Sequence, residues 1–509
     1  MEQPIKKSIF YRDKHRPQFH YSPPENWMND PNGMVYFEGE YHLFYQYYPE
    51  KTVWGPMHWG HAVSKDLIHW ENLPIALYPD DLGHIFSGSA VVDWSNTSGL
   101  GKDGQPPLIA IFTHHEMELE KVGTNNHQYQ SIAFSHDNGR SLIKYSGNPV
   151  LPNLNNIKDF RDPKVIWDKI RKHWLMVLAT TDHSKFYSSK NLIDWTHLSN
   201  WGSPYGEHNG VWECPDLFPM RVEETGEEKW VLLQSINPGG LNGGSATQYF
   251  VGDFDGEKFI LDEKFEKEVT NGHAIWIDYG RDNYAGVTWS DIPDEDGRRI
   301  FIGWMSNWDY SQTVPTERWR NAMTIPRRLA LAQVNGKYRV ISHPVKELEK
   351  LRGKFIDIES QIVSNNSILI EKKQLNVSQA EVILTIDLEG TSSTVFGIEL
   401  SNGKGAVYQF GYEIANQQFF SDRSRSFSEV FSDKFSVKPA LAPRFSTDQE
   451  LLLHCFIDAS SIEIFIDNGS VVMTETFFPN EDFNQLSLFC NDGQVQLVSG
   501  IAYELSSIW

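Results

Sequence analysis

Five short apolar runs decide how this chain folds: HLFYQ at residues 42–46, LIAIF at 108–112, WLMVL at 174–178, WVLLQ at 230–234 and IFIGW at 300–304. Each lies between clusters of Gly, Pro, Asn and Asp, the pattern of a buried strand bounded by turns. Their starts are 66, 66, 56 and 70 residues apart. An apolar strand returning at a near-constant interval marks a repeat architecture, and this interval accommodates a four-stranded blade. The reading is all-β, with a five-bladed β-propeller over residues 15–343. Working outward, SKDLIHW at 64–70 echoes SKNLIDW at 189–195, and both are expected to be outer hairpins of their blades. At residue 344 the pattern changes. Pro344 opens a short helical stretch ended by Gly353, read as a linker over 344–352. Alternating runs such as EVILTIDL then predict a β-sandwich over 353–509.

Composition narrows the function classes. The 509 residues carry 45 Lys+Arg against 67 Asp+Glu, a net charge of −22. That balance argues against nucleic acid and against an anionic membrane, because both need clustered cations. A neutral ligand such as a sugar is compatible with it, and 17 Trp suit stacking on sugar faces. Three cysteines exclude a disulfide framework. Cys455 and Cys490 could bridge, but two buried thiols are the expectation. No window of 18 apolar residues predicts a transmembrane helix. The start MEQPIKKSIFYRDKHRP lacks an apolar signal core. A cytoplasmic protein is expected, or a secreted one whose leader is absent.

Three acidic motifs stand out in the first domain: WMNDPNG at 27–33, FRDP at 160–163 and WECPDL at 212–217. Asp30 and Asp162 each lie 13 residues before the leucine of their blade's apolar run, at matching points of two blades. Glu213 lies somewhat further upstream of its run. Each motif is thus expected to open an innermost strand, where three carboxylates could converge on the axis. Asp or Asn before Pro is an ordinary turn former. Carboxylates gathered from three blades repel one another, and such clusters are more often functional than structural. Glycoside hydrolysis requires two carboxylates with different tasks. The acid role needs a raised pKa, and Glu213, beside Trp212 and Cys214, suits that role. Asp30, beside the amide of Asn29, suits an ionised nucleophile. Arg161 is expected to hold Asp162 ionised.

These motifs closely resemble the signatures of glycoside hydrolase family 32, the β-fructosidases. The resemblance runs the length of the chain, through FHYSPP at 19–24, WGPMHWGHA at 54–62, FSGS at 86–89 and DYGRD at 278–282. GWMSNW at 303–308 and AMTIPR at 322–327 look most like bacterial levanases and exo-inulinases. The resemblance implies a propeller followed by a sandwich, and retaining hydrolysis of terminal β-fructosyl units of levan, inulin or sucrose. Asp30 matches the nucleophile, Glu213 the acid/base and Asp162 the transition-state stabiliser. Asn29, Gln46, Trp54, Phe86, Ser87, Arg161, Tyr284 and Trp304 match positions lining the fructose pocket. No cofactor or metal is implied. The implied partner is a small or polymeric fructoside, with monomer or homodimer left open. A fructosyltransferase sharing the intermediate and a fructan-binding lectin are the alternatives. Asn283, Asp309 and Glu317-Arg318 depart from the levanase-like pattern, and all are expected near the pocket rim.

Weaker signals have plainer readings. His58 and His61 are spaced to face opposite sides of a strand and make a poor metal pair. His114-His115 reads as a solvated loop. The acidic run Asp291–Gly297 reads as a solvated hairpin rather than a calcium site. Ser135–Arg140 resembles the Asp-box hairpin of sialidase propellers, a turn device.

Overall fold

The computed structural model describes residues 11–509; residues 1–10, part of the stretch on which the leader reading rests, lie outside them. The protein is all-β, a five-bladed propeller followed by a β-sandwich. Each of the five apolar runs falls in the second strand of a blade: Glu40–Tyr48, Leu108–His115, His173–Thr180, Glu228–Asn237 and Arg299–Met305. The innermost strands are Asn26–Phe37, His84–Val92, Arg161–Asp168, Val211–Arg221 and Tyr284–Thr288. They pack side by side around the axis, each against the next. The ring closes where Trp319–Arg320 pairs parallel with Asn26 and Trp27.

The two echoing heptapeptides are third-to-fourth strand hairpins of blades 1 and 3. In each, a serine hydroxyl accepts the N–H two residues on, Asp66 N to Ser64 Oγ and Asn191 N to Ser189 Oγ, both 3.1 Å. Leu67 and Leu192 then take positive φ, 68° and 63°. Ser135–Arg140 makes the corresponding turn of blade 2, with Ser141 N donating to Asp137 Oδ1 at 2.9 Å. Short polar side chains replace backbone partners in such turns.

After blade 5, Lys346–Leu351 forms a 3-10 helix that buries Leu348 and Leu351. Two antiparallel sheets follow, built on the central strands Ala380–Asp387 and Val395–Ser401. The apolar side of each faces the other, with Val382, Leu384, Ile398 and Leu488 all buried. Cys455 and Cys490 remain free thiols.

Four expectations are corrected. His114 and His115 end the second strand of blade 2 and are buried; their polar letters hid a fully buried strand end. Asp291 is half-buried rather than solvated, accepting from Val92 N and Trp94 Nε1, both 2.9 Å, whereas residues 294–297 are exposed as expected. Asn283 is a seam residue, not a rim one: its amide donates to Asp278 Oδ2 at 3.3 Å, and it packs so tightly on Gly303 that a Cβ there would stand 2.2 Å from its oxygen. Asp30 and Asp162 do not occupy matching points. Blade 1 carries an extra bulge, Gly33 and Met34 facing Leu43, and a different hairpin, so equal intervals conceal a one-residue offset.

Candidate active site

Every innermost strand carries a bulge at its start, two residues facing one on the second strand. The pairs are Asn29-Asp30, Phe86-Ser87, Asp162-Pro163, Cys214-Pro215 and Ala285-Gly286. They face Gln46, Thr113, Leu178, Gln234 and Gly303. A bulge bends the strand and re-aims a side chain. Asp162, Cys214 and Ala285 take positive φ there, 63°, 45° and 52°. Three successive layers of side chains therefore point into the mouth of the axis.

The residue before the bulge is Arg161, Glu213 and Tyr284 in blades 3, 4 and 5. These three are bonded in a row. Arg161 Nη2 donates to Glu213 Oε1 at 2.8 Å, and the Tyr284 hydroxyl donates to Glu213 Oε2. Arg161 Nη1 is anchored on Asp159 Oδ1 at 2.7 Å. The guanidinium thus turns from Asp162, whose Oδ2 is 3.9 Å from Nε. The first bulge position supplies Asn29, Phe86, Asp162 and Cys214. Trp27 Nε1 donates to Asn29 Oδ1 (2.7 Å), which turns the Asn29 NH2 onto Asp30 Oδ1 (3.0 Å). Cys214 N donates to Asp162 Oδ2 at 2.9 Å. The second position supplies Asp30 and Ser87, whose Oγ donates to Asp30 Oδ2 at 2.9 Å. The Cys214 thiol stands between the layers, 3.6 Å from Asp30 Oδ2 and from Asp162 Oδ2.

Electrostatics follow from burial. Desolvation and then the charge of Glu213 raise the Asp30 carboxyl, opposed by the hydrogen bonds of Asn29 and Ser87. Desolvation pushes Asp162 up to about 7; Arg161 opposes it and Glu213 adds to it. Adjacency to Arg161 therefore does not keep Asp162 in the ordinary carboxylate range, because the guanidinium is committed to Asp159 and Glu213. Burial, then Asp162 and Asp30, also holds the Cys214 thiol well above its usual value.

Aromatic rings wall the site. Trp27, Tyr284 and Trp304 are buried together, with Trp54, Phe86 and Trp308 packed on them and partly exposed. Phe86 stacks face to face on His115, centroids 4.2 Å apart. Gln46 Nε2 and Trp304 Nε1 are buried donors with no partner among the described residues. All eleven residues singled out in the sequence lie on these bulged strand starts, the facing strands or the adjoining loops. Sequence reasoning passed over Asp159, Thr113, His115 and Trp308. Thr113 Oγ1 accepts from Asp162 N at 3.0 Å; its place opposite the blade 2 bulge becomes readable once the repeat is aligned. No group of three or more His, Cys, Asp or Glu arranged to hold a metal occurs among the described residues.

Glycoside hydrolysis needs paired carboxylates, and the axial mouth of this propeller supplies them in an aromatic pocket. Residues 20–344 match the model of the glycosyl hydrolases family 32 N-terminal domain, and residues 347–504 match that of the family's C-terminal domain. The chain belongs to family 32. It is 45% identical over 506 residues to a levanase of Bacillus subtilis, covering 99% of this chain and 72% of that one. It is 36% identical over 532 residues to an extracellular exo-inulinase of Aspergillus niger, covering 99% and 97%. Among solved structures, the exo-inulinase of Aspergillus awamori superimposes with TM-score 0.89 at 34% identity, over 98% of this chain and 100% of that one. A fructofuranosidase of Schwanniomyces occidentalis complexed with fructosylnystose gives 0.82 at 30%, over 99% and 100%.

Proposed function

We propose that the protein is a retaining exo-β-fructosidase that releases terminal fructose from levan, inulin and sucrose. The observation that carries this is the layered trio. Asp30 stands at the second bulge position of its strand, held by the Asn29 amide on one oxygen and the Ser87 hydroxyl on the other. Glu213 stands one residue before its bulge, and Asp162 at the first bulge position.

In this reading an Asp30 oxygen attacks the anomeric C2 while Glu213 gives its proton to the leaving oxygen. The C2–O bond to the leaving group breaks as the bond to Asp30 forms. Glu213, now a carboxylate, takes a proton from water. The resulting hydroxyl attacks C2 and frees Asp30. Arg161 and Tyr284 occupy two of the roughly four lone-pair sites of the Glu213 carboxylate, leaving room for the transferred proton. Gln46 Nε2, Trp304 Nε1 and Asp162 serve the fructose hydroxyls. The relatives named levanase and exo-inulinase support the substrate class.

The test is fructose release from levan, inulin and sucrose, with Asp30→Asn as the paired control. Fructose from the native protein alone is the expected result. An Asp30→Asn variant with near-native turnover would remove Asp30 from the mechanism. Binding of fructan without release would favour the lectin.

A further inference from the structure

The seam between the domains reaches the pocket from behind. Residues 278–282 lie along the sandwich strand Val471–Thr476. Tyr279 N donates to Val472 O (2.7 Å) and Asp282 N to Thr474 O (3.1 Å), while Thr476 N donates back to Asp282 Oδ2 (2.8 Å). The approach is close enough that a Cβ on Gly280 would stand 2.1 Å from Thr474 O. Two residues beyond Asp282, the same segment delivers Tyr284, whose hydroxyl meets Glu213.

The Trp308 wall is tied to the same point. Tyr310 donates its hydroxyl to Asp282 Oδ1 at 2.8 Å. Arg423, from the sandwich, closes the knot: Nη1 to Asp282 Oδ2 at 2.5 Å, Nη2 to the Tyr310 hydroxyl at 2.6 Å and Nε to Phe435 O at 2.8 Å. Its Cζ lies 3.8 Å from the centre of the Phe435 ring. Arg423, Asp282 and Tyr310 are all buried. Outside the knot, Lys434 pairs with Asp309 at 2.9 Å, latching the Phe435 loop to the residue after Trp308. A guanidinium fixed on three sides transmits position well, because its planar fork holds each partner in one direction.

We infer that Arg423, acting through Asp282 and Tyr310, is a positioning residue by which the sandwich sets Tyr284 against Glu213. The second domain then completes the catalytic pocket. This rests on the assignment of Glu213 as the acid.

The test compares sucrose with an aryl β-fructofuranoside, whose phenolate departs without needing a proton. Tyr310→Phe keeps the ring and removes only the hydroxyl of the knot. It is expected to lower kcat/KM on sucrose about ten-fold, short of the ~10²-fold cost of a 1 Å misplacement. The kcat/KM of the aryl fructoside, which reports only formation of the fructosyl-enzyme, should stay within about two-fold, because a good leaving group bypasses the general acid in that step. Arg423→Lys should behave alike and more severely. Arg444→Gln breaks a buried pair inside the sandwich, Arg444 with Asp467 at 2.7 Å, and serves as control; it should lower Tm and leave the ratio of the two activities unchanged. Should Arg423→Lys fail to fold, Tyr310→Phe still decides. Equal losses on both substrates, or no loss on either, would overturn the inference. A native protein that released fructose from neither substrate would instead overturn the functional reading.

Discussion

Ser87→Ala isolates one hydrogen bond of the Asp30 carboxylate. Ser87 Oγ donates to Asp30 Oδ2 at 2.9 Å, and the other strong donor, Asn29 Nδ2, serves the other oxygen at 3.0 Å. The substitution removes one oxygen atom and leaves the bulge backbone intact. A hydrogen bond to a charged group contributes about 1.5–3 kcal/mol, and one pKa unit corresponds to about 1.4 kcal/mol. Losing the bond therefore raises the pKa of Asp30 by about 1–2, the lower end applying where water replaces the hydroxyl. The sign is fixed: Ser87 donates to the ionised form, so its loss favours the protonated one. Burial and Glu213 already raise this carboxyl, so the change moves its titration toward the working range. The assay is kcat/KM for sucrose against pH, which reports groups of the free enzyme. The acid limb of the profile should move up by about one unit, with the alkaline limb unmoved. An acid limb that stayed in place while activity fell uniformly would refute the argument, since Ser87 would then serve the sugar rather than Asp30.

Arg161→Lys should lower kcat about 10²-fold with little change in KM, because one ammonium cannot span Asp159 and Glu213 as the two guanidinium nitrogens do; steady-state kinetics on sucrose would show it. His20 is buried between Asp458 at 2.7 Å and Glu463 at 3.0 Å, and these partners raise it from 6.5 to about 9 against the opposing desolvation. A raised histidine contributes stability that is complete below about 6.5 and lost as pH rises through about 9, here about 3 kcal/mol in all. Thermal melts should therefore show Tm falling between about pH 7 and 9, and His20→Gln should flatten that slope while lowering Tm at pH 6. Asp162→Asn should cost several orders of magnitude in kcat on sucrose while leaving Tm near native, since Cys214 N can still donate to the amide oxygen.

The fold was legible because its repeat is written in apolar runs, and a strand buried on both faces leaves few other readings. The three carboxylates were legible for the same reason, each lying upstream of such a run. Contacts made across the chain were not legible. Nothing local announces that Arg161 turns to Glu213, 52 residues away, or that Asp282 meets Arg423, 141 residues on. His114 and His115 misled because polarity was taken for exposure. In the structure, Ser131 bonds His114 Nδ1 at 2.7 Å while Asp80 lies 3.3 Å from Nε2, and Glu120 and Gln128 bond the two nitrogens of His115 at 3.0 and 3.1 Å; a polar group with partners can sit in a core.

The buried charges of the seam need a reason other than stability. Arg327 and Arg423 meet Asp278, Asp282 and Glu463 with side chains at most 1% exposed. Desolvating so many ions costs roughly what their attraction returns, and apolar substitutes often stabilise a protein as well or better. What such groups supply is direction, because each guanidinium and carboxylate accepts partners along few lines. An apolar seam between a propeller and a sandwich could slide by a fraction of an ångström at little cost. Here that slide would carry Tyr284 with it, and Tyr284 holds Glu213. Catalysis is sensitive to displacements of that size, whereas the fold is not. The seam is therefore charged where it backs onto the pocket, through Asp278, Asp282 and Arg423. The sandwich's own interior, between Val382, Leu384, Ile398 and Leu488, is apolar.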